Sequence, residues 1–144
     1  TFAHPANYPY LSVCTTSTHD MNPIRAWWEE DREVTNDFWH MILGNQGEAP
    51  YFCEPWICRQ ILDQHVWSPA MLTILPLQDW LSMDEQLRRE DPNTERINVP
   101  AISRHYWRYR MHLKLEQLME SKAFNARVNS LLGRGGRIQN SIKQ

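Results

Sequence analysis

Two short clusters of polar side chains are equipped for chemistry. Ser17-Thr18-His19-Asp20 follows the nearly uncharged run YLSVCTT over residues 10–16, and Pro76-Leu77-Gln78-Asp79 follows a second apolar run, AMLTIL, over residues 70–75. Each sets a carboxylate beside a side chain that can donate a hydrogen bond, His19 next to Asp20 and Gln78 next to Asp79. A carboxylate so placed accepts hydrogen bonds from the vicinal hydroxyls of a sugar or steadies a cationic centre. It can equally cap a following helix, and that alternative is open at Asp79 and, with Asn22-Pro23 close by, at Asp20. Cys53, Cys58 and His65 are the remaining candidates, as zinc ligands. Their spacing matches no paired C-x-x-C pattern and no fourth ligand lies near them in sequence, so no metal and no other cofactor is expected.

Two strand-then-helix units must hold these clusters. Both apolar runs are short and poor in charge, as strands buried on both faces are. Asn22 as cap and Pro23 at the first helical position predict a helix through Ile24, Trp27, Trp28 and Asp31. A second helix is predicted over about residues 33–43, ended by Gly44. A third opens at Glu54-Pro55, carries Trp56, Ile57, Ile61, Leu62 and Val66 at helical spacing, and stops at Ser68-Pro69. Strand, polar terminus and helix in repetition indicate βα units around a parallel sheet, an architecture that binds ligands at the carboxyl ends of its strands. Beyond a polar stretch over 82–98, with an exposed loop at Asp91-Pro92-Asn93-Thr94, helical pattern returns at 103–107, 115–121 and 123–132, the last closed by Gly133. Residues 1–134 read as one unit and 135–144, with Gly135-Gly136, as a flexible basic tail.

Composition bounds the remainder. A chain of 144 residues is too short for a complete (β/α)8 barrel of about 250. With 42% hydrophobic and 22% charged residues it can bury a core, which excludes wholesale disorder. No apolar run approaches the roughly 20 residues of a membrane span, so no membrane partner is expected. The net charge of -2 divides into +7 over residues 101–144 and -9 over 1–100. His105-Tyr106-Trp107-Arg108-Tyr109-Arg110 interleaves aromatics with arginines as nucleic-acid surfaces do, but the acidic first hundred residues argue against nucleic acid, and a solvated basic face explains the pattern. Three cysteines, an odd set with no secretory leader, fit a reduced cytoplasmic protein. Thr1 reads as a processed start or as a cut from something longer. Seven Trp among sixteen aromatic residues lean only weakly towards carbohydrate.

Six blocks, in order, carry a resemblance. They are Ser17-Thr18-His19-Asp20-Met21 running on to Ile24-Arg25-Ala26-Trp27-Trp28-Glu29-Glu30-Asp31; Cys53-Glu54-Pro55-Trp56-Ile57-Cys58; Trp67-Ser68-Pro69; Leu75-Pro76-Leu77-Gln78-Asp79; Glu95-Arg96-Ile97-Asn98-Val99-Pro100; and Tyr106-Trp107-Arg108-Tyr109-Arg110. Over about residues 8–134 the chain resembles the 4-alpha-glucanotransferases, the amylomaltase or disproportionating-enzyme family of the α-amylase superfamily, and most of all the bacterial and plant branch with extra N-terminal starch-binding modules.

The resemblance implies an α/β fold, the C-terminal portion of a (β/α)8 barrel, which as an isolated chain is mostly α-helical with about two short parallel strands. It implies retaining transfer of α-1,4-glucan segments between malto-oligosaccharides. That chemistry uses a nucleophilic carboxylate and an acid/base carboxyl about 5–5.5 Å apart, flanking an oxocarbenium-like transition state. Asp20 matches a third family carboxylate, which binds the hydroxyls of the glucose at the cleavage site, and His19 matches its sugar-binding neighbour. Asn98 matches a sugar contact and Gln78 a weaker one. For Asn98 a turn role before Val99-Pro100 is also open, and the family's Asn-x-Pro-Gly becomes Asn98-Val99-Pro100-Ala101 here. Trp27, Trp28 and Trp107 read as packing residues rather than sugar platforms. No nucleophile or acid/base is matched, so the rest of the enzyme, N-terminal to this chain, is the implied partner. The isolated chain is expected to be inactive and to self-associate. Glucan binding without catalysis, or nucleic-acid binding, are the rival readings.

Overall fold

The structure, a computed structural model, describes residues 2–138. Among the described residues six helices pack with one short parallel ribbon. Strand β1 (Val13–Cys14) pairs with β2 (Leu72–Thr73) in the register Val13 with Leu72 and Cys14 with Thr73. Between them run α1 (Ile24–Trp28), α2 (Arg32–Met41) and α3 (Pro55–Val66). After β2 come α4 (Leu77–Ser82), a 3-10 turn at Pro92–Glu95, α5 (Leu115–Glu120) and α6 (Lys122–Arg134).

Local chemistry sets most of these boundaries. Asp31 caps α2 by accepting from the N–H groups of Glu33 (2.9 Å) and Val34 (3.2 Å), and the chain leaves that helix through Gly44 at φ 68°. Pro55 opens α3, where its missing N–H costs nothing. The core lies where α3 meets α4 and α6 and α1 meets α4, around Trp28, Ile57, Leu62, Leu81, Met83 and Leu131. There the apolar stripes of four helices face one another, which stabilises them far more than intrinsic propensity does.

The strands are shorter and more open than the sequence predicts. Each keeps two residues of regular ladder, with flanking bonds from Met71 N to Tyr10 O (2.7 Å) and Ile74 N to Cys14 O (2.9 Å). Cys14 is wholly buried, but Val13 is 52% and Leu72 47% exposed. Helices cover only one face of the ribbon, so side chains alternating onto the other face meet solvent.

Three other expectations need correcting. Pro23, not Asn22, is the N-cap of α1, and it has no side chain with which to cap. Residues 103–107 form turns rather than a helix (Ile102 N to Val99 O, 2.9 Å; His105 N to Ile102 O, 3.0 Å), because Ile102, Tyr106 and Trp107 stay exposed and find no apolar surface to repay helix nucleation. Gly133 lies within α6, whose C-cap is Gly135. A Cβ on Gly135 would stand 2.3 Å from Val66 Cγ1, so this close approach to α3 needs glycine. Within the segment read as a tail, the described residues 135–138 are held by Arg137, whose guanidinium donates to Val66 O (2.9 Å), Ala70 O (2.8 Å) and Ser68 O. Residues 139–144 lie outside the described residues. Among the described residues no helix is long and apolar enough to cross a membrane.

Candidate functional site

His19 and Asp20 project from the turn that follows β1, and the segment after the 3-10 turn at Pro92–Glu95 comes back across the chain to meet them. Asn98 Nδ2 donates to Asp20 Oδ1 at 2.5 Å, while Asn98 N donates to His19 O at 3.0 Å. The second carboxylate oxygen, Oδ2, lies 3.4 Å from His19 Nε2. Both side chains are about half exposed, so the carboxylate keeps lone pairs free for a ligand. Arg96 closes the arrangement from behind. Its Nε donates to Asn98 O (2.8 Å), one Nη to Asn22 Oδ1 (3.1 Å) and the other to Asp20 O (3.2 Å). One planar fork thus fixes both backbones that carry the site. The exposed Trp107 ring packs against His19 with centroids 4.7 Å apart and planes inclined at 39°.

The four residues singled out in the sequence part company here. Asp20, His19 and Asn98 share one hydrogen-bonded cluster. Gln78 stands behind it, almost fully buried, with its amide donated to Glu95 O at 3.3 Å. Together with Ser17, Thr18, His19, Glu95 and Ile97 it lines a cavity of about 90 Å³. A larger cavity, about 400 Å³, opens elsewhere between Phe2, Trp27, Phe38, Ile61 and His65, and it contains neither Asp20 nor Asn98.

Asp79 follows its alternative reading in an unexpected form. Completely buried, it caps α1 rather than its own helix by accepting from Ile24 N at 2.9 Å. Its other oxygen takes the hydroxyls of Thr16 (2.5 Å) and Ser17 (3.4 Å). Burial raises its pKa from the ordinary aspartate value, opposed by those three donors.

Glu95 is the other buried carboxyl, 1% exposed, and neither of its oxygens has a hydrogen-bond partner among the described residues. Burial is the main cause that lifts its pKa to about 7, with the Arg25 guanidinium pulling the other way. Glu95, Arg96 and Trp107 stand inside the family-like blocks, where the sequence assigns no role to the first two and packing to the third. The signal available was their neighbourhood: Glu95-Arg96 stands three and two residues before Asn98. Trp28, by contrast, is fully buried and does pack in the core, and Trp27 joins Phe2 and Phe38 in an aromatic cluster.

Of the residues considered for zinc, Cys53 Sγ and Cys58 Sγ lie 3.4 Å apart, and His65 Nδ1 is engaged by Ile61 O at 2.7 Å. Burial pushes the Cys53 thiol well up and the His65 imidazole down. Among the described residues no group of three or more His, Cys, Asp and Glu side chains is gathered as a metal would require.

A family model described as 4-alpha-glucanotransferase matches residues 1–116. The chain is 37% identical over 136 residues to the 4-alpha-glucanotransferase DPE2 of Oryza sativa subsp. japonica, covering 94% of this chain and 14% of that protein. It is 29% identical over 127 residues to the 4-alpha-glucanotransferase of Chlamydia trachomatis serovar D, covering 86% of this chain and 23% of that one. Its fold is similar to that of an amylomaltase from Streptococcus agalactiae solved in complex with acarbose, with a TM-score of 0.67 at 21% identity, over 94% of this chain and 24% of that chain. The chain therefore spans between about a seventh and a quarter of these relatives, and its helices and two strands have the fold of part of a (β/α)8 barrel.

Proposed function

The chain belongs to the 4-alpha-glucanotransferase family, and from that we propose that it contributes the sugar-gripping side of a retaining active site which moves α-1,4-glucan segments between malto-oligosaccharides. The observation that carries this reading is the fixed, half-exposed carboxylate of Asp20, with one oxygen held by Asn98 and the other facing His19.

Such a carboxylate accepts hydrogen bonds from two adjacent hydroxyls of the glucose at the cleavage point. Because the sugar flattens and gains positive character in the oxocarbenium-like transition state, these contacts strengthen there. His19 supplies a ring nitrogen for a neighbouring hydroxyl, and Trp107 holds that ring in place. Asn98 is a positioning residue for Asp20, with sugar contact through its remaining amide capacity. Gln78 bears on the sugar only through the segment it ties down at Glu95. The nucleophile and the acid/base belong, on this reading, to the longer protein of which the relatives' lengths speak.

The exposed Tyr10, Leu11, Val13, Leu72 and Ile74 then form the surface that the remainder of the barrel covers, and a second copy covers it when the chain stands alone. The three buried free thiols fit a cytoplasmic setting. Disproportionation of maltotriose by the full protein, compared with its Asp20→Asn variant, tests the assignment. Retained turnover in the variant would remove it. Retention of the protein on a glucan gel, with salt-dependent nucleic-acid binding as the contrast, separates it from the rival binding functions.

A further inference from the structure

The segment carrying Asn98 is anchored by charged side chains that enclose a carboxyl group with nothing to bind. Arg25, itself almost fully buried in α1, spends its two terminal nitrogens on Arg89 O (2.6 Å) and Glu90 O (3.2 Å), which fixes the chain just ahead of the 3-10 turn at Pro92–Glu95. Glu95 ends that turn, and Arg96 and Asn98 follow at once. Around Glu95 stand Arg25 from α1, Asp79 from α4, Arg89 and Tyr109 from the connecting segments, and His19 across the small cavity. Arg25 Nε, Arg89 Nε and the Tyr109 hydroxyl are, like both Glu95 oxygens, buried without a hydrogen-bond partner among the described residues. Neither arginine forms an ion pair with Glu95.

A buried carboxylate that no side chain hydrogen-bonds is costly even with the Arg89 backbone N–H turned towards it, whereas the neutral acid is far less so. The arrangement therefore favours the neutral acid of Glu95. Ionising it would draw the unpartnered Nε groups of Arg25 and Arg89 towards Glu95, shifting their guanidiniums on the oxygens they now hold (Arg89 O and Glu90 O for Arg25, Thr94 Oγ1 and Arg110 O for Arg89), and the displacement would pass into the Arg96 to Asn98 segment.

We propose that Glu95 is a positioning residue whose neutral form keeps Asn98 seated on Asp20 and whose ionised form unseats it, making the sugar-gripping cluster proton-controlled. The consequence for glucans rests on the function proposed above; the proton-controlled seating of Asn98 does not. A pKa lifted to about 7 places the change within the physiological range.

Two measurements on the full protein test this, and they fail separately. In the first, the side-chain amide of Asn98, followed by NMR with nitrogen-15 asparagine, moves with a midpoint near 7 in the unaltered protein and becomes independent of pH in Glu95→Gln. An immobile Asn98 amide between pH 6 and 8 overturns the proposal, as does a movement that persists in the variant and so belongs to another group. In the second, kcat/KM for maltotriose falls about tenfold from pH 6 to pH 8 through this group, and Glu95→Gln narrows that ratio to about twofold. A profile unchanged by the substitution overturns the link to the sugar site. Absence of any glucan transfer would defeat the proposed function instead, and the Asn98 titration would still decide the role of Glu95.

Discussion

Asp20 and Asp79 occupy matching places, each a few residues past a short parallel strand, yet they do opposite work. Asp20 meets an incoming loop through one amide and keeps half its surface in solvent; Asp79 is swallowed by three donors and pins the start of α1. What separates them is the element that follows. Asp79 already lies in the first turn of α4, which packs the carboxylate inward, whereas after Asp20 the chain takes two further residues and a proline before α1 begins. A strand end is thus a place where a carboxylate can be left open or spent on the protein, and the covering element decides which.

The contrast can be broken from either side. In the full protein Asp20→Asn should lower turnover of maltotriose by about a hundredfold or more, the scale on which a charge-stabilising contact to a transition state operates, and leave thermal stability unchanged. A loss below about tenfold would put Asp20 in the same structural class as Asp79. Asp79→Ala should do the reverse, costing about 3 kcal/mol of unfolding free energy in denaturant titrations, since it removes a helix cap and strands the Thr16 and Ser17 hydroxyls. An unchanged midpoint would mean that the cap is dispensable.

Glu95 sharpens the comparison as a buried carboxyl without the donors that Asp79 enjoys. Its folded pKa, about 7, lies above the 4.5 of a free glutamate, so between those values the native state binds more protons than the unfolded chain. Its contribution to stability therefore declines as pH rises through that window and stays low above it. Glu95→Gln, which cannot ionise, should match the parent at pH 5 and exceed it at pH 8, by on the order of 2 kcal/mol. Equal stability at both pH values would show that Glu95 is ionised at no cost. The smallest effect is expected at His19→Ala, a few-fold rise in KM with kcat nearly kept, because one sugar hydrogen bond is lost. Damage beyond that of Asp20→Asn would reverse their ranking.

Much of this was legible in local signals. The start of α3 at Pro55, its end before Ser68-Pro69 and the exit of α2 at Gly44 all follow from residues adjacent in sequence. Asp20, His19 and Asn98 were legible as a set only through family resemblance, for 78 residues separate Asp20 from its amide partner. Similar separations hid Arg96, whose donors close on Asp20 O and Asn22 from 76 and 74 residues away. The direction of Asp79 was hidden likewise, since a cap bonded across 55 residues leaves no local trace. Residues 103–107 misled for the opposite reason: the helical spacing is present, but no surface waits for it.

Arg137 has a consequence for the order of assembly. Its guanidinium ties together Val66 O, Ser68 O and Ala70 O, the carbonyls that lead from the end of α3 towards β2, from about 70 residues further along the chain. During synthesis that joint has emerged long before the group that fastens it, so the ribbon of β1 and β2 stays loosely moored while α4, α5 and α6 are being made. The growing chain can bury α3 early, through local contacts, but it locks its strands last.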